Sequence, residues 1–146
     1  MKYKIKSFNS VLFVCNINSI RSPMAEAILK AWFDKKIFVD SCGIREGRLD
    51  YMAVEVMAED DFDLSNHNSK LFSSLQDTSF DLIIAFTKEA LDEVKSLTKT
   101  KDYKIEYLEI FDASQTTGNR QQRLESYRQV RELLKEKLKK RFSDYL

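Results

Sequence analysis

Cys15 and Arg21 frame the segment "CNINSIR" inside the longer run "VLFVCNINSIRSPMAEAIL", residues 11–29. An apolar stretch ends in the cysteine; after the arginine come Ser-Pro and an amphipathic run. A loop joining a buried strand to a helix aims several backbone N–H groups at one point. The helix dipole makes that point electropositive, so an anion binds there. Arg21 adds a planar fork that matches two phosphate oxygens. The same field favours a thiolate, so Cys15 is expected to have a lowered pKa and to be nucleophilic. Ser22 is placed to donate its hydroxyl hydrogen to that thiolate. The chemistry that suits this group is attack on a bound phosphoryl group, giving a phosphocysteine. The Cys-x5-Arg spacing alone is a weak signal. A buried structural cysteine followed by a surface arginine meets it equally well, and it is the strand before and the Ser-Pro helix start after that point to a site.

The elements that must position these residues alternate along the chain. "VLFVC" (11–15) reads as a strand buried on both faces. Ser22 is expected to cap a helix with Pro23 at its first position, and Ala25, Ile28, Leu29 and Trp32 recur at helical spacing. "IFVDS" (37–41) is a second strand, closed by Gly43. Met52, Ala53, Val56 and Met57 form the apolar face of a short second helix that runs into the acidic "EDDFD". "DLIIAF" (81–86) is a third buried strand, and Thr87 caps a helix carrying Ala90, Leu91, Val94 and Leu97. "KIEYLEIF" (104–111) is a fourth strand with an ambiguous end. The polar loop "DASQTTGNRQQ" leads to a long last helix with Leu124, Tyr127, Val130, Leu133, Leu134 and Leu138. The fold class is therefore α/β: one three-layer domain over residues 1–146, with a four-stranded parallel sheet and helices on both faces. Ligands bind such folds at the carboxyl ends of the strands, where the strand order switches, and Cys15 sits at such an end.

Composition narrows the function classes. The 146 residues fit one domain, and 43% apolar residues with 10 Phe and 6 Tyr suffice for one core. A net charge of +1 makes no general case for nucleic acid or an anionic membrane, and no run has the length of a membrane span. The basic start "MKYKIKSFNS" is followed by an apolar run too short for a signal-peptide core. Cys15 and Cys42 make no disulfide framework, so a reduced, cytoplasmic setting is expected. With one histidine and two separated cysteines, no metal site and no cofactor are expected. The basic residues of the last helix, from Arg128 to Arg141, read as a solvated face, with an acidic partner as the minor reading.

"VLFVCNINSIRSPMAEA" resembles the signature of the low-molecular-weight protein tyrosine phosphatases, V-C-x-G-N-x-C-R-S-P-M-A-E. "VDSCGI", "FDLSNHNSK" and "FDLIIAFTKEALDEV" resemble further segments of that family, so the resemblance covers nearly the whole chain. Thioredoxin-coupled arsenate reductases share this fold and loop. The resemblance implies a flavodoxin-like sheet, no metal, and two-step hydrolysis of a phosphorylated substrate, either a phosphotyrosine protein or a small aryl or alkyl phosphate. Cys15 matches the nucleophile and Arg21 the phosphate-binding arginine. The amides of Asn16, Ile17, Asn18, Ser19, Ile20, Arg21 and Ser22 match the phosphate cradle. Asn18, Ser22, Ser41 and His67 match a hydrogen-bond network that steadies the loop, and His67 is read as structural.

A phosphate ester with a poor leaving group needs a general acid. The family places an aspartate in an Asp-Pro loop before the last helix, and Asp112 matches it; Asp112 as the cap of a turn is the competing reading. Asp50 and Asp102 are the next candidates. Three departures from the family pattern stand out. Ile17 replaces a glycine, so the loop either keeps ordinary backbone angles there or is strained. Ala113 replaces the proline after the acid. Charged and polar residues, Arg45, Glu46 and Arg48 among them, stand where the family has aromatic walls. Ile20 replaces a second loop cysteine, and Cys42 is expected as a small buried hydrophobe on the opposite face from Ser41. No cysteine follows Cys42, which argues against a complete thiol relay. An arsenate reductase relative and a non-catalytic phosphate-binding or regulatory protein remain the alternative functions.

Overall fold

The computed structural model describes residues 8–34, 36–76, 78–98 and 104–145; the basic start of the chain and Asp102 lie outside these. Four strands, β1 (Ser10–Ile17), β2 (Phe38–Arg45), β3 (Leu82–Ala85) and β4 (Ile105–Tyr107), form one sheet. Every pairing is parallel and the order is β2-β1-β3-β4. Alternation along β1 builds both layers of core. Val11, Phe13 and Cys15 face α1 (Arg21–Phe33), α2 (Tyr51–Ala58) and α4 (Arg120–Arg141). Leu12 and Val14 face the opposite layer, with Cys42 and with Ala90 and Val94 of α3 (Lys88–Thr98). The sheet is thus covered on both faces, as the expected α/β class requires, and Cys42 is fully buried on the face away from Ser41. Strand order reverses beside β1, which places the end of β1 at the switch point.

Several element boundaries differ from the sequence expectation, β1 running on past Cys15 to Ile17 among them, and three more bear on the site. Helix α1 begins at Arg21 with Ile20 as its uncapped N-terminal residue; Ser22 lies inside the first turn because its hydroxyl is engaged by Cys15 and Asn18 instead. Strand β2 runs through Gly43 rather than stopping there, since β1 itself continues to Ile17 and pairs it with Arg45. Gly43 is a point of close approach: a Cβ there would lie 2.6 Å from the Asn18 nitrogen. Strand β4 is short. Its neighbour β3 ends at Ala85, so after Tyr107 the ladder continues only through single bonds, from Leu108 N–H to the Ala85 carbonyl and from Ile110 N–H to the Phe86 carbonyl.

The "EDDFD" segment and the basic face of α4 pair with each other. Arg128 and Arg131 both bind Glu59, and Lys135 binds Asp60, at distances of 2.5 to 3.0 Å. Solvent screens partly exposed pairs of this kind, so each adds little stability. They use the chain's own acids on a stripe that the sequence left to solvent.

Candidate active site at the end of β1

The loop after Cys15 is held from outside by its carbonyls. The Asn18 carbonyl accepts from the Ser69 hydroxyl, and the Ser19 carbonyl accepts from the Asp50 N–H at 3.0 Å. In a trans peptide the C=O and the following N–H point opposite ways, so the Ser19 and Ile20 N–H groups turn inward. Asp50 also caps α2 through the Met52 N–H at 2.8 Å and accepts from the Tyr127 hydroxyl at 2.7 Å. Helix α4 thereby braces the loop. No local sequence pattern announced the Asp50–Tyr127 bond, which joins residues 77 positions apart.

Asn18 is 1% exposed and uses its whole amide. Its Nδ2 donates to Ser22 Oγ (2.8 Å) and Ser41 Oγ (3.0 Å), while its Oδ1 accepts from the Lys70 N–H (3.1 Å) and His67 Nε2 (2.8 Å). Ser41 Oγ donates onward to Glu26, which faces His67 Nδ1 at 3.6 Å. The structure therefore brings Asn18, Ser22, Ser41 and His67 into one chain of hydrogen bonds and adds Glu26 to it. Glu26 was legible in principle, one helical turn beyond Ser22 on the same face of α1. On the other flank, Asn16 Oδ1 accepts from Thr87 Oγ1 (2.6 Å) and Asn16 Nδ2 donates to Glu89 (3.1 Å). Thr87 also takes the Ala90 N–H at 3.0 Å, the capping contact its position suggests. Two sets of side chains thus grip the loop from β2 and from α3.

Burial pulls the pKa of His67 below its ordinary value, and the Glu26 carboxylate offsets this in part. A histidine lowered on folding leaves the native state binding fewer protons than the unfolded chain. Stability is therefore full at neutral pH and falls once the pH drops below the unfolded value of about 6.5. His67 is the one histidine of the chain. The urea midpoint is expected to fall between about pH 7 and pH 5.5, above the range where carboxylates titrate, and His67→Gln to flatten that slope. An unchanged slope in His67→Gln would assign the pH dependence elsewhere.

Cys15 is fully buried near the end of β1, just before the loop. Its Sγ lies 2.7 Å from Ser22 Oγ and donates to the Ile17 carbonyl at 2.9 Å. Asn18 already donates to Ser22 Oγ, so the Ser22 hydroxyl hydrogen has two acceptors in reach, the Cys15 sulfur at 2.7 Å and the Cys42 carbonyl at 3.3 Å. The expected lowering of the Cys15 pKa is not what this environment produces. Burial pushes the thiol up; hydrogen bonds from the Ser22 side chain and backbone and the charge of Arg21 pull the other way but do not prevail. A backbone hydrogen bond at Ile17 adds a smaller lowering contribution, so burial alone is what favours S–H, and the Ile17 carbonyl accepts that hydrogen. Ile17 keeps a negative φ and ordinary strand angles, so the loop is unstrained at the position of the family glycine. The consequence is a carbonyl turned toward the sulfur, also bound by the Ser19 N–H at 2.7 Å. Ile17's side chain in turn sits on Gly47, where a Cβ would lie 2.1 Å from Ile17 Cγ2.

Arg21 and Asp112 meet across the end of the sheet. Arg21 is 8% exposed, with its NH1 donating to the Ile110 carbonyl at 3.0 Å and its NH2 3.9 Å from Asp112 Oδ2. Asp112 Oδ1 accepts from the Ser114 N–H (2.9 Å) and the Ser114 hydroxyl (2.7 Å), capping the 3-10 turn Ala113–Gln115. The two readings of Asp112 are compatible: one oxygen caps the turn and the other faces the guanidinium. Ala113, in the place of the family proline, is buried and begins that turn. Among the described residues no group of three or more His, Cys, Asp or Glu is arranged to hold a metal ion, and no helix is long and apolar enough to cross a membrane.

Known proteins match this architecture. A Synechocystis sp. glutaredoxin arsenate reductase is 36% identical over 75 residues, which span 51% of this chain and 57% of that protein. A Bacillus subtilis arsenate reductase is 29% identical over 129 residues, covering 88% of this chain and 91% of the relative. The crystal structure of an Erwinia amylovora tyrosine phosphatase superposes with a TM-score of 0.76 at 23% identity, over 92% of this chain and 91% of that one, a likeness of fold. The model of the low molecular weight phosphotyrosine protein phosphatases matches residues 10–144. The chain belongs to the low molecular weight phosphotyrosine protein phosphatase family, whose members are enzymes, either phosphatases or arsenate reductases.

Proposed function

We propose that this chain is a cysteine-dependent phosphatase that hydrolyses phosphate monoesters through a phosphocysteine. The observation that carries the reading is the meeting of Arg21 with Asp112 at 3.9 Å beside the buried Cys15, at the switch point of a parallel sheet. In the reaction, the phosphoryl group enters the cradle on the inward N–H groups and the Arg21 fork. An oxyanion and the Ile17 carbonyl repel, so entry turns the Ile17–Asn18 peptide and removes the acceptor that holds the thiol hydrogen. The thiol hydrogen passes to a nonbridging oxygen of the entering phosphate dianion and is returned to Sγ when inorganic phosphate leaves. Cys15 Sγ, as thiolate, attacks phosphorus; the S–P bond forms and the P–O bond to the leaving group breaks. Asp112 gives its proton to the departing oxygen from Oδ2, the oxygen that Ser114 does not occupy. Asp112 then takes a proton from water, whose oxygen attacks phosphorus and releases inorganic phosphate and the Cys15 thiolate. The Ser22 hydroxyl, 2.7 Å from the sulfur, steadies that thiolate as a leaving group.

The experiment is acid quenching during turnover of a phenyl phosphate, followed by mass analysis of the peptide containing Cys15. The expected result is an added phosphoryl group on Cys15. Steady release of phosphate with no phosphorylated cysteine at any quench time would reject the covalent route. A second reading, arsenate reduction, is favoured by the similarity to the Synechocystis and Bacillus subtilis reductases. Against an internal thiol relay stands the placement of Cys42, on the far face of β2 with its thiol pushed up by burial. An arsenate reaction in this chain would need an external thiol to complete it.

A further inference from the structure

Beside the cradle lies a second concavity, of about 540 Å³, between the end of β2 and residues 69–74. Its wall and the cradle wall are the same chain. Asn18 lines it, and so does Ser69, whose hydroxyl holds the Asn18 carbonyl. Arg45, Arg48 and Lys70 surround it, against one carboxylate, Glu46. Arg45 is paired with Glu89 at 2.9 Å and Lys70 with Asp40 at 3.0 Å, so part of their charge is already used. Arg48 has no hydrogen-bond or ion-pair partner among the described residues. The segment that carries it is fixed at both ends: Gly47 lies under the Ile17 side chain, and the Asp50 N–H binds the Ser19 carbonyl.

We infer that this basic concavity is a second anion subsite, so that the preferred substrate is a phosphate monoester that carries a further carboxylate or phosphate group. The inference rests on the phosphatase reading of the adjoining loop and names the substrate class of that site. A guanidinium without a partner, on a wall shared with the cradle, gains a charge-assisted bond when such a group docks. Arg45 and Lys70 add field there. Ile17, 39% exposed and seated on Gly47, gives the stretch between the two anions an apolar sill. The same chemistry explains why charged residues stand where the family has aromatic walls: recognition of the substrate passes in part from ring stacking to charge.

The test measures binding with ligands that cannot be hydrolysed, so it does not depend on turnover. One arm compares peptides containing phosphonomethyl-phenylalanine flanked by glutamates or by glutamines. The other compares hexane-1,6-bisphosphonate with hexylphosphonate. The doubly anionic member of at least one pair is expected to bind about fivefold to tenfold more tightly at low salt, and the pair that does so identifies the source of the second anion. In Arg48→Ala that preference is lost, while turnover of phenyl phosphate, which has no second anion, stays at the wild-type rate. Equal affinities within both pairs, or a preference that survives in Arg48→Ala, would overturn the subsite. If phenyl phosphate is still turned over in those cases, the phosphatase reading stands alone. If no phosphonate binds and phenyl phosphate is not hydrolysed, both fall.

Discussion

Cys15→Ser is expected to abolish hydrolysis, with a loss of about 10⁴-fold or more, and to leave oxyanion binding measurable. The two effects separate because different groups do the two jobs. In the proposed mechanism the anion is held by backbone N–H groups of the loop and by Arg21, none of which the substitution touches, and only the sulfur attacks. A serine hydroxyl at the same place can donate to the Ile17 carbonyl and accept from Ser22, as the thiol does at 2.9 and 2.7 Å, so the loop is expected to keep its shape. A hydroxyl, however, is far harder to ionise than a thiol, and no general base adjoins it. The check pairs the rate on an aryl phosphate with the dissociation constant of inorganic phosphate, in wild type and in the variant. Hydrolysis near the wild-type rate in Cys15→Ser would end the mechanism. Loss of phosphate binding together with loss of rate would show instead that the sulfur is part of the anion site.

The second large effect belongs to Asp112. An acidic phenol leaves phosphorus without help, whereas a tyrosine phenolate or an alkoxide leaves as a strong base and needs a proton. Asp112→Asn keeps the size of the side chain and an oxygen for the Ser114 contacts at 2.9 and 2.7 Å. It removes the transferable proton. Formation of the phosphoenzyme is expected to slow by about 10²–10⁴-fold on poor leaving groups and distinctly less on good ones. Single-turnover measurements are required, since attack by water sets the steady-state rate if the second step is slower. Equal slowing across the series would mean that Asp112 acts only as the cap of the 3-10 turn. Asp50 would be the next acid to test; its side chain, though, is already engaged by the Met52 N–H and the Tyr127 hydroxyl.

Much of this architecture could be read along the chain because it is local. The apolar run of β1, the helical spacing after Arg21 and the alternation of strands and helices each depend on neighbours in sequence, and together they imply a parallel sheet with Cys15 at a strand end. The opposite-face placement of Ser41 and Cys42 follows from the two-residue period of a strand in the same way. The Thr87 cap is equally local: its oxygen reaches a backbone N–H three residues on.

What the tertiary structure alone decided concerns contacts between distant segments. Whether Ile17 strains the loop depended on β2: pairing with Arg45 keeps Ile17 in ordinary strand angles, and Gly47 makes room for its side chain. That outcome turns the Ile17 carbonyl toward Cys15. Complete burial reverses the expected direction of the cysteine's pKa, because desolvation acts on the thiolate more strongly than the hydrogen bonds at Ser22 and Ile17 and the Arg21 guanidinium oppose it. Ser22 reads from sequence both as a helix cap and as a partner of the sulfur; the fold sets it inside the first turn of α1 with its oxygen 2.7 Å from Cys15 Sγ, since a hydroxyl goes to the partner that folding brings within reach. Asp112 reads from sequence as either a cap or an acid, and the fold gives its two oxygens different neighbours. The sequence by itself determined the fold class, the family resemblance and the end of the sheet at which Cys15 and Arg21 stand; the fold decided the surroundings and orientation of these groups, because they are set by burial and by partners that no spacing along the chain records.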